Sequence, residues 1–181
     1  FLKLTVAPVL LISFLGVTAY SFITKTDTEI EVTPVVSTDV KAVADSLISE
    51  APLRDSLEQF GKGFLGVPYV YGGTSEKGFD CSGFVYYVYN EFGIKVPRSS
   101  SLFANFGKEV AIDSVKKGDI LVFQSPTRNV IGHVGIVTNA KGMESEFIHA
   151  SSSKEMKVML SSLKQPGYTR RFVKAISVLE N

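Results

Sequence analysis

One cysteine and two histidines supply all the thiol and imidazole chemistry of this 181-residue chain: Cys81, His133 and His149. A single cysteine forms no internal disulfide and cannot build a cysteine-rich metal site. Cys81 lies between Asp80 and Ser82, directly after the glycine-rich stretch VPYVYGGTSEKGFD and before an apolar run with helical spacing. That context predicts a place in the first turn of a helix, where unpaired backbone N–H groups and the helix dipole favour an anion. A free thiol of pKa ~8.5 is only about 3% ionised at pH 7, and a helix N-terminus with a paired imidazolium lowers that pKa by several units. The expected nucleophile is therefore largely pre-formed. A structural cysteine packed as a small hydrophobe is the alternative, but such a residue belongs inside an apolar run, and Cys81 is flanked by an acid and a hydroxyl.

His133 opens the run HVGIV and His149 lies in FIHAS. Neighbouring antiparallel strands would bring both imidazoles toward the end of one helix. In such a relay one histidine takes the thiol proton and returns it to a leaving amine, while the other bonds the remaining ring nitrogen and fixes the tautomer. Spacing alone does not say which histidine is the base.

The elements that must position these groups follow from hydrophobic period. Val40, Val43, Ala44, Leu47 and Ile48 have helical spacing up to Pro52, with Thr38 or Asp39 as cap. Leu53, Leu57, Phe60 and Phe64 predict a second helix ending near Gly66. The glycines and proline after it demand a shaped loop. Phe84, Val85, Val88, Tyr89 and Phe92 form the apolar face of the helix that carries Cys81, with Gly93 at its end. Pro97 and the serines Ser99 to Ser101 start a short helix closed near Gly107. Downstream, Asp119 to Gln124, His133 to Thr138, Glu146 to Ala150, Lys157 to Leu160 and Arg171 to Leu179 are short and rich in β-formers. Helices first and strands afterwards predict an α+β domain with helices packed on an antiparallel β-sheet.

Residues 4–23 carry no charge and match the length that crosses a bilayer. Lys3 precedes them and Asp27, Glu29 and Glu31 follow, which favours a cytoplasmic N-terminus and export of the rest. A signal peptide with Val17-Thr18-Ala19 as its cleavage site and a retained inner-membrane anchor both fit, and the mass of the mature protein separates them. The expected organisation is an export segment over 1–23, a linker with a short helix over 24–52, and a catalytic domain over 53–181. Lys+Arg 19 against Asp+Glu 18 leaves a net charge of +1, with no basic excess to hold a phosphate backbone, so nucleic acid is excluded as a partner. Membrane contact is expected only through the N-terminal segment, and the chain is expected to be a monomer.

Six blocks in order, Pro68 to Gly73, Gly78 to Phe84, Val96 to Ser99, Lys117 to Asp119, Gly132 to Gly135 and Phe147 to Ala150, resemble the NlpC/p60 family of bacterial cell-wall cysteine peptidases. The resemblance covers roughly Leu53 to Leu179. It implies a papain-like fold with Cys81 as nucleophile at a helix N-terminus, His133 as base and His149 as the orienting third member. Tyr69 matches a family tyrosine near the thiol, where a phenol could donate to the oxyanion beside the Cys81 backbone N–H. Tyr71 is expected to pack. Asp80 and Ser82 match positions that bind the free amine of a stem peptide in some relatives; helix capping and a local turn bond are their plainer roles. Arg98 belongs to the Pro-Arg-Ser block without an assignable role.

The implied substrate is the peptidoglycan stem peptide, cut between γ-D-glutamate and a diamino acid such as diaminopimelate, in the cell envelope and without a cofactor. Three alternatives remain open at this stage: a catalytically silent wall-binding module, an amidase or acyltransferase using the same triad, and a zinc site built on one thiolate and two imidazoles. No metal is expected. The pH profile should have two limbs, and a rate independent of pH from 5 to 9 would count against the thiol–imidazole pair.

Overall fold

The two longer helices precede the strands of the main sheet, as the change in hydrophobic period predicts. The computed structural model describes residues 51–179. The segment expected to direct export, the expected linker up to residue 50 and the helix expected from Val40 lie outside the described residues. Among the described residues no helix is long and apolar enough to cross a membrane.

The first helix, α1, is described over 51–62 and includes Pro52. It buries Leu57 completely and packs the half-buried Phe60 against the core. A turn ending at Gly66, whose φ of +89° suits a residue without a side chain, leads into the glycine-rich stretch. Where a shaped loop is expected, the chain forms a minimal hairpin of β1 (Thr74–Ser75) and β2 (Gly78–Phe79).

Helix α2 (Cys81–Glu91) follows at once. Phe84, Val85, Val88 and Tyr89 are fully buried, as their spacing predicts, and each contributes about 1.5–3 kcal/mol of hydrophobic stabilisation. At the other end the N–H groups of Gly93 and Ile94 bond the carbonyls of Asn90 and Tyr89 at 3.0 Å each. The turn after Pro97 is a 3-10 helix, Ser100–Asn105, with Gly107 just beyond it.

The remaining strands are β3 (Lys108–Val110), β4 (Ile120–Gln124), β5 (Ile131–Asn139), β6 (Glu146–Ser151), β7 (Lys157–Ser162) and β8 (Phe172–Ser177). They form one sheet in the order β3-β8-β4-β5-β6-β7, with every neighbouring pair antiparallel. A second 3-10 turn, Ile112–Ser114, precedes β4, and a short helix α3 (Pro166–Arg171) precedes β8. Arg171, read from sequence as the start of a strand, is therefore the last residue of α3.

Because side chains alternate along a strand, the sheet has two buried faces. Val134, Ile136, Ile148 and Ala150 share one cluster with Val85 and Val88 of α2. Leu121, Phe123, Val137 and Phe147 form the other. His133 and His149 have the odd parity of the second set, so they project away from the face that receives α2. Val134 and Ile136 occupy that face; β5 and β6 are neighbouring antiparallel strands, as expected, with the imidazoles on the side opposite α2. The thiol meets β5 at its start, through the Gly132 carbonyl, and lines one cleft with His133.

Candidate active site

The start of α2 is a tightly matched corner. Asp80 caps the helix, its Oδ1 accepting from the Gly83 N–H at 2.7 Å and its Oδ2 from the Gly72 N–H at 3.0 Å. A Cβ on Gly83 would overlap the carbonyl oxygen of Gly73, so the glycine-rich sequence lets the loop cross the helix end at backbone contact. Cys81, 8% exposed, sits in the first turn as expected, but its charge state differs from the expectation. Burial first, and the neighbouring Asp80 carboxylate second, push its pKa up to about 11, against the pull of the Ser82, Val134 and Cys81 N–H groups. The resting sulfur is a neutral thiol whose recorded hydrogen bond goes to the Gly132 carbonyl at 3.8 Å. The helix N-terminus does not outweigh lost water and a carboxylate one residue away.

The two imidazoles meet directly. His133 Nε2 lies 3.0 Å from His149 Nδ1, and His149 Nε2 lies 3.0 Å from Ser161 Oγ and 3.2 Å from the Tyr168 hydroxyl. Phe123 and Phe147 flank the pair, with ring centroids 5.8 Å from His133 and 5.0 Å from His149. Burial first, and the Arg171 charge next, lower the His149 pKa to about 3. Burial, His149 and Arg171, in that order, hold His133 well below the usual histidine range. A neutral His149 can accept the His133 Nε2–H at Nδ1 and donate from Nε2, which fixes the tautomer that leaves His133 Nδ1 free to take a proton.

Cys81 and His133 line one cleft with Tyr69 and Gly132. A cleft has two arms meeting at the thiol. The first, about 220 Å³, is lined by His133, Ser151 to Ser153, Tyr168 and Arg171. The second, about 620 Å³, is lined by Tyr71, Asp80, Ser82, Arg98 and Ser99 to Ser101. Tyr69, half buried, borders both, and burial together with the charges of Cys81 and Asp80 keeps its phenol protonated above the ordinary tyrosine range. His133 lines the first arm and turns Nε2 away from the thiol side toward His149 Nδ1 behind it, an arrangement that suits proton transfer.

Tyr71 does not pack. It is 92% exposed on the rim of the second arm, because the turn into Gly72, at φ +75°, turns it outward. Arg98, without a role in the sequence reading, spans both Asp80 oxygens at 2.9 and 2.8 Å and reaches Ser82 Oγ at 3.2 Å. Ser82 Oγ in turn donates to Asp80 Oδ1 at 3.2 Å. Both plainer roles, the cap and the local turn bond, are thus present. Ser161, Tyr168 and Arg171 escaped the sequence reading. Ser161 comes near His149 only through the pairing of β6 with β7, and no local motif announces it.

Residues 66–177 match the profile of the NlpC/P60 family. The chain belongs to that family. It is 36% identical over 125 residues to a gamma-D-glutamyl-L-lysine dipeptidyl-peptidase of Bacillus cereus, a match covering 68% of this chain and 36% of that protein. It is 32% identical over 136 residues to murein DD-endopeptidase MepS/murein LD-carboxypeptidase of Escherichia coli K12, covering 75% of this chain and 68% of the relative. The chain therefore spans little more than a third of the length of the Bacillus cereus enzyme. Among solved structures, an NlpC/P60 family protein from Bacillus cereus aligns with a TM-score of 0.64 at 34% identity, over 70% of this chain and 40% of that one. The NlpC/p60 domain of the peptidoglycan hydrolase SagA aligns at 0.56 and 28% identity, over 68% of this chain and 97% of that one. These NlpC/P60 neighbours and the antiparallel sheet with its helices agree with the papain-like α+β fold.

Proposed function

We propose that this NlpC/P60 protein is a cysteine peptidase that hydrolyses peptidoglycan stem peptides, at the bond between γ-D-glutamate and a diamino acid. The observation that carries the reading is the meeting of Cys81 and His133 in one cleft, with His133 Nε2 held 3.0 Å from His149 Nδ1. The names of its relatives, a γ-D-glutamyl-L-lysine dipeptidyl-peptidase and a murein endopeptidase, support the substrate class.

In this mechanism His133 Nδ1 takes the Cys81 proton as Sγ attacks the scissile carbonyl, and Tyr69 and the Cys81 N–H face the developing oxyanion. The C–N bond breaks as the imidazolium returns the proton to the leaving amine. Water, deprotonated by His133, then cleaves the thioester and restores the thiol. His149 keeps the His133 ring and tautomer in place. No cofactor takes part. Asp80 and Ser82 are proposed to meet the free amine of the stem peptide, where the ammonium would share Asp80 with Arg98. Acetylating that amine should then raise KM at least tenfold; equal rates for free and blocked peptides would remove this role. Residues 1–23 are proposed as the export segment, 24–52 as a tether and 53–181 as the catalytic domain.

Cys81→Ala should abolish release of muropeptides from purified peptidoglycan while leaving the thermal transition in place. Continued cleavage by that variant would sink the proposal. A silent wall-peptide binding module is the second reading, favoured by the Sγ bond to Gly132 in place of one to His133. Tight muropeptide binding by the wild-type protein, with no new termini by mass spectrometry, would select it.

A further inference from the structure

The leaving amine takes its proton from His133, so the residue that departs must lie in the arm that His133 lines. That arm also holds Arg171 and Tyr168 and none of Asp80, Ser82 and Arg98. Arg171 ends α3 with its guanidinium held at two of its three nitrogens: Nε donates to the Gly167 carbonyl at 2.9 Å and Nη1 to the Gln124 carbonyl at 3.2 Å. Its carbon lies 5.1 Å from the Tyr168 ring centroid, a cation–π distance. Among the described residues no carboxylate pairs with it, and its Nη2 donates no hydrogen bond. The result is a half-buried, pre-oriented cation facing the cleft beside the base. A guanidinium so placed offers its Nη2 donors to a carboxylate in a charge-assisted hydrogen bond.

We propose that Arg171 binds a carboxylate carried by the residue on the leaving side of the scissile bond, and so selects substrates whose departing residue is an anion-bearing amino acid. The inference rests on the peptidase reading, because that reading makes the His133 arm the leaving side. It also gives the uncompensated charge a purpose. Arg171 depresses both imidazoles in the empty cleft, and a bound carboxylate cancels that field, so His133 becomes a better base when the correct substrate is present.

The experiment uses two probes that differ in one group, L-Ala-γ-D-Glu-L-Lys with a free carboxyl terminus and the same tripeptide ending in a carboxamide. With the wild-type protein the carboxamide should raise KM by roughly 10–100-fold, the size of one lost charge-assisted pair, with a smaller change in kcat. Arg171→Gln should bind both probes equally weakly, and Arg171→Lys should recover part of the preference. Affinities of the two probes for the Cys81→Ala protein, by calorimetry, separate this inference from the one beneath it. Discrimination there without hydrolysis by the wild type overturns the peptidase reading and keeps the Arg171 site. Hydrolysis of both probes at equal KM, or an undiminished preference in Arg171→Gln, overturns the Arg171 site alone.

Discussion

Cys81 and His133 are each held uncharged by the same cause, the removal of water from the groups that would bear charge. Thiol and imidazole therefore coexist in neutral form over the range between a His133 pKa well below 6.5 and a Cys81 pKa of about 11. That form is the one able to pass a proton from sulfur to nitrogen once a carbonyl arrives. For kcat/KM, which reports the free enzyme, this predicts a level region through neutral pH. Activity should fall in acid as His133 takes a proton, and in alkali only as pH approaches 11. A level rate from neutral pH to pH 9 is here the expected result, because burial lowers the His133 pKa and raises that of Cys81 to about 11. An alkaline limb near pH 8 would instead show a thiolate–imidazolium pair. The nucleophile and the histidines were legible because each is rare and sits beside a loop or on a β-run. Charge state was not legible, since it depends on burial and on Asp80, and the partners Ser161 and Tyr168 stand 12 and 19 positions from His149.

Strand β5 illustrates how an element positions a site through what it lacks. Gly135 lies where a Cβ would come within 2.6 Å of Phe147 Cδ2 and 3.2 Å of His149 Cβ. Phe147 is fully buried and has nowhere to retreat, so even one methyl must displace it or the imidazole beside it. Gly135→Ala should destabilise the protein by about 1–3 kcal/mol and lower kcat more than it raises KM, as read by denaturant unfolding and steady-state kinetics on one preparation. Unchanged kcat would mean that His149 tolerates the shift. The strand, the α2 helix and the short helix after Pro97 were legible, but the tiny β1-β2 hairpin, the 3-10 turn at Ile112–Ser114 and α3 were not. Those pieces are too short to show a period, and α3 carries Pro166 and Gly167 in its first turn, residues that read as a break.

Across the whole described molecule, one buried ion pair ties the start of α1 to the sheet. Arg54 Nη1 reaches Asp119 Oδ1 at 2.9 Å and the Lys117 carbonyl at 2.8 Å, while Nη2 reaches Ser177 Oγ at 3.4 Å. Asp119 Oδ2 accepts the Lys116 N–H at 2.8 Å. Both side chains are under a tenth exposed. Asp119→Ala removes a buried carboxylate from the Arg54 guanidinium and should cost about 3–5 kcal/mol, measured by urea unfolding; a loss under about 1 kcal/mol would mean that the pair contributes little to holding α1 on the sheet. The block Lys117 to Asp119 was visible as a motif, yet its purpose was hidden by the 65 residues that separate the two partners.

A protonated thiol is also a poor target for peroxide, because sulfur is oxidised as the thiolate. With Cys81 8% exposed and its pKa raised to about 11, the resting protein holds its one thiol in the form that peroxide attacks slowly, while the thioether sulfurs of Met143 and Met156 stand exposed. Resting protein at neutral pH should keep its thiol titre through a peroxide challenge that converts Met143 and Met156 to sulfoxides, and loss of the titre ahead of the methionines would show a resting thiolate.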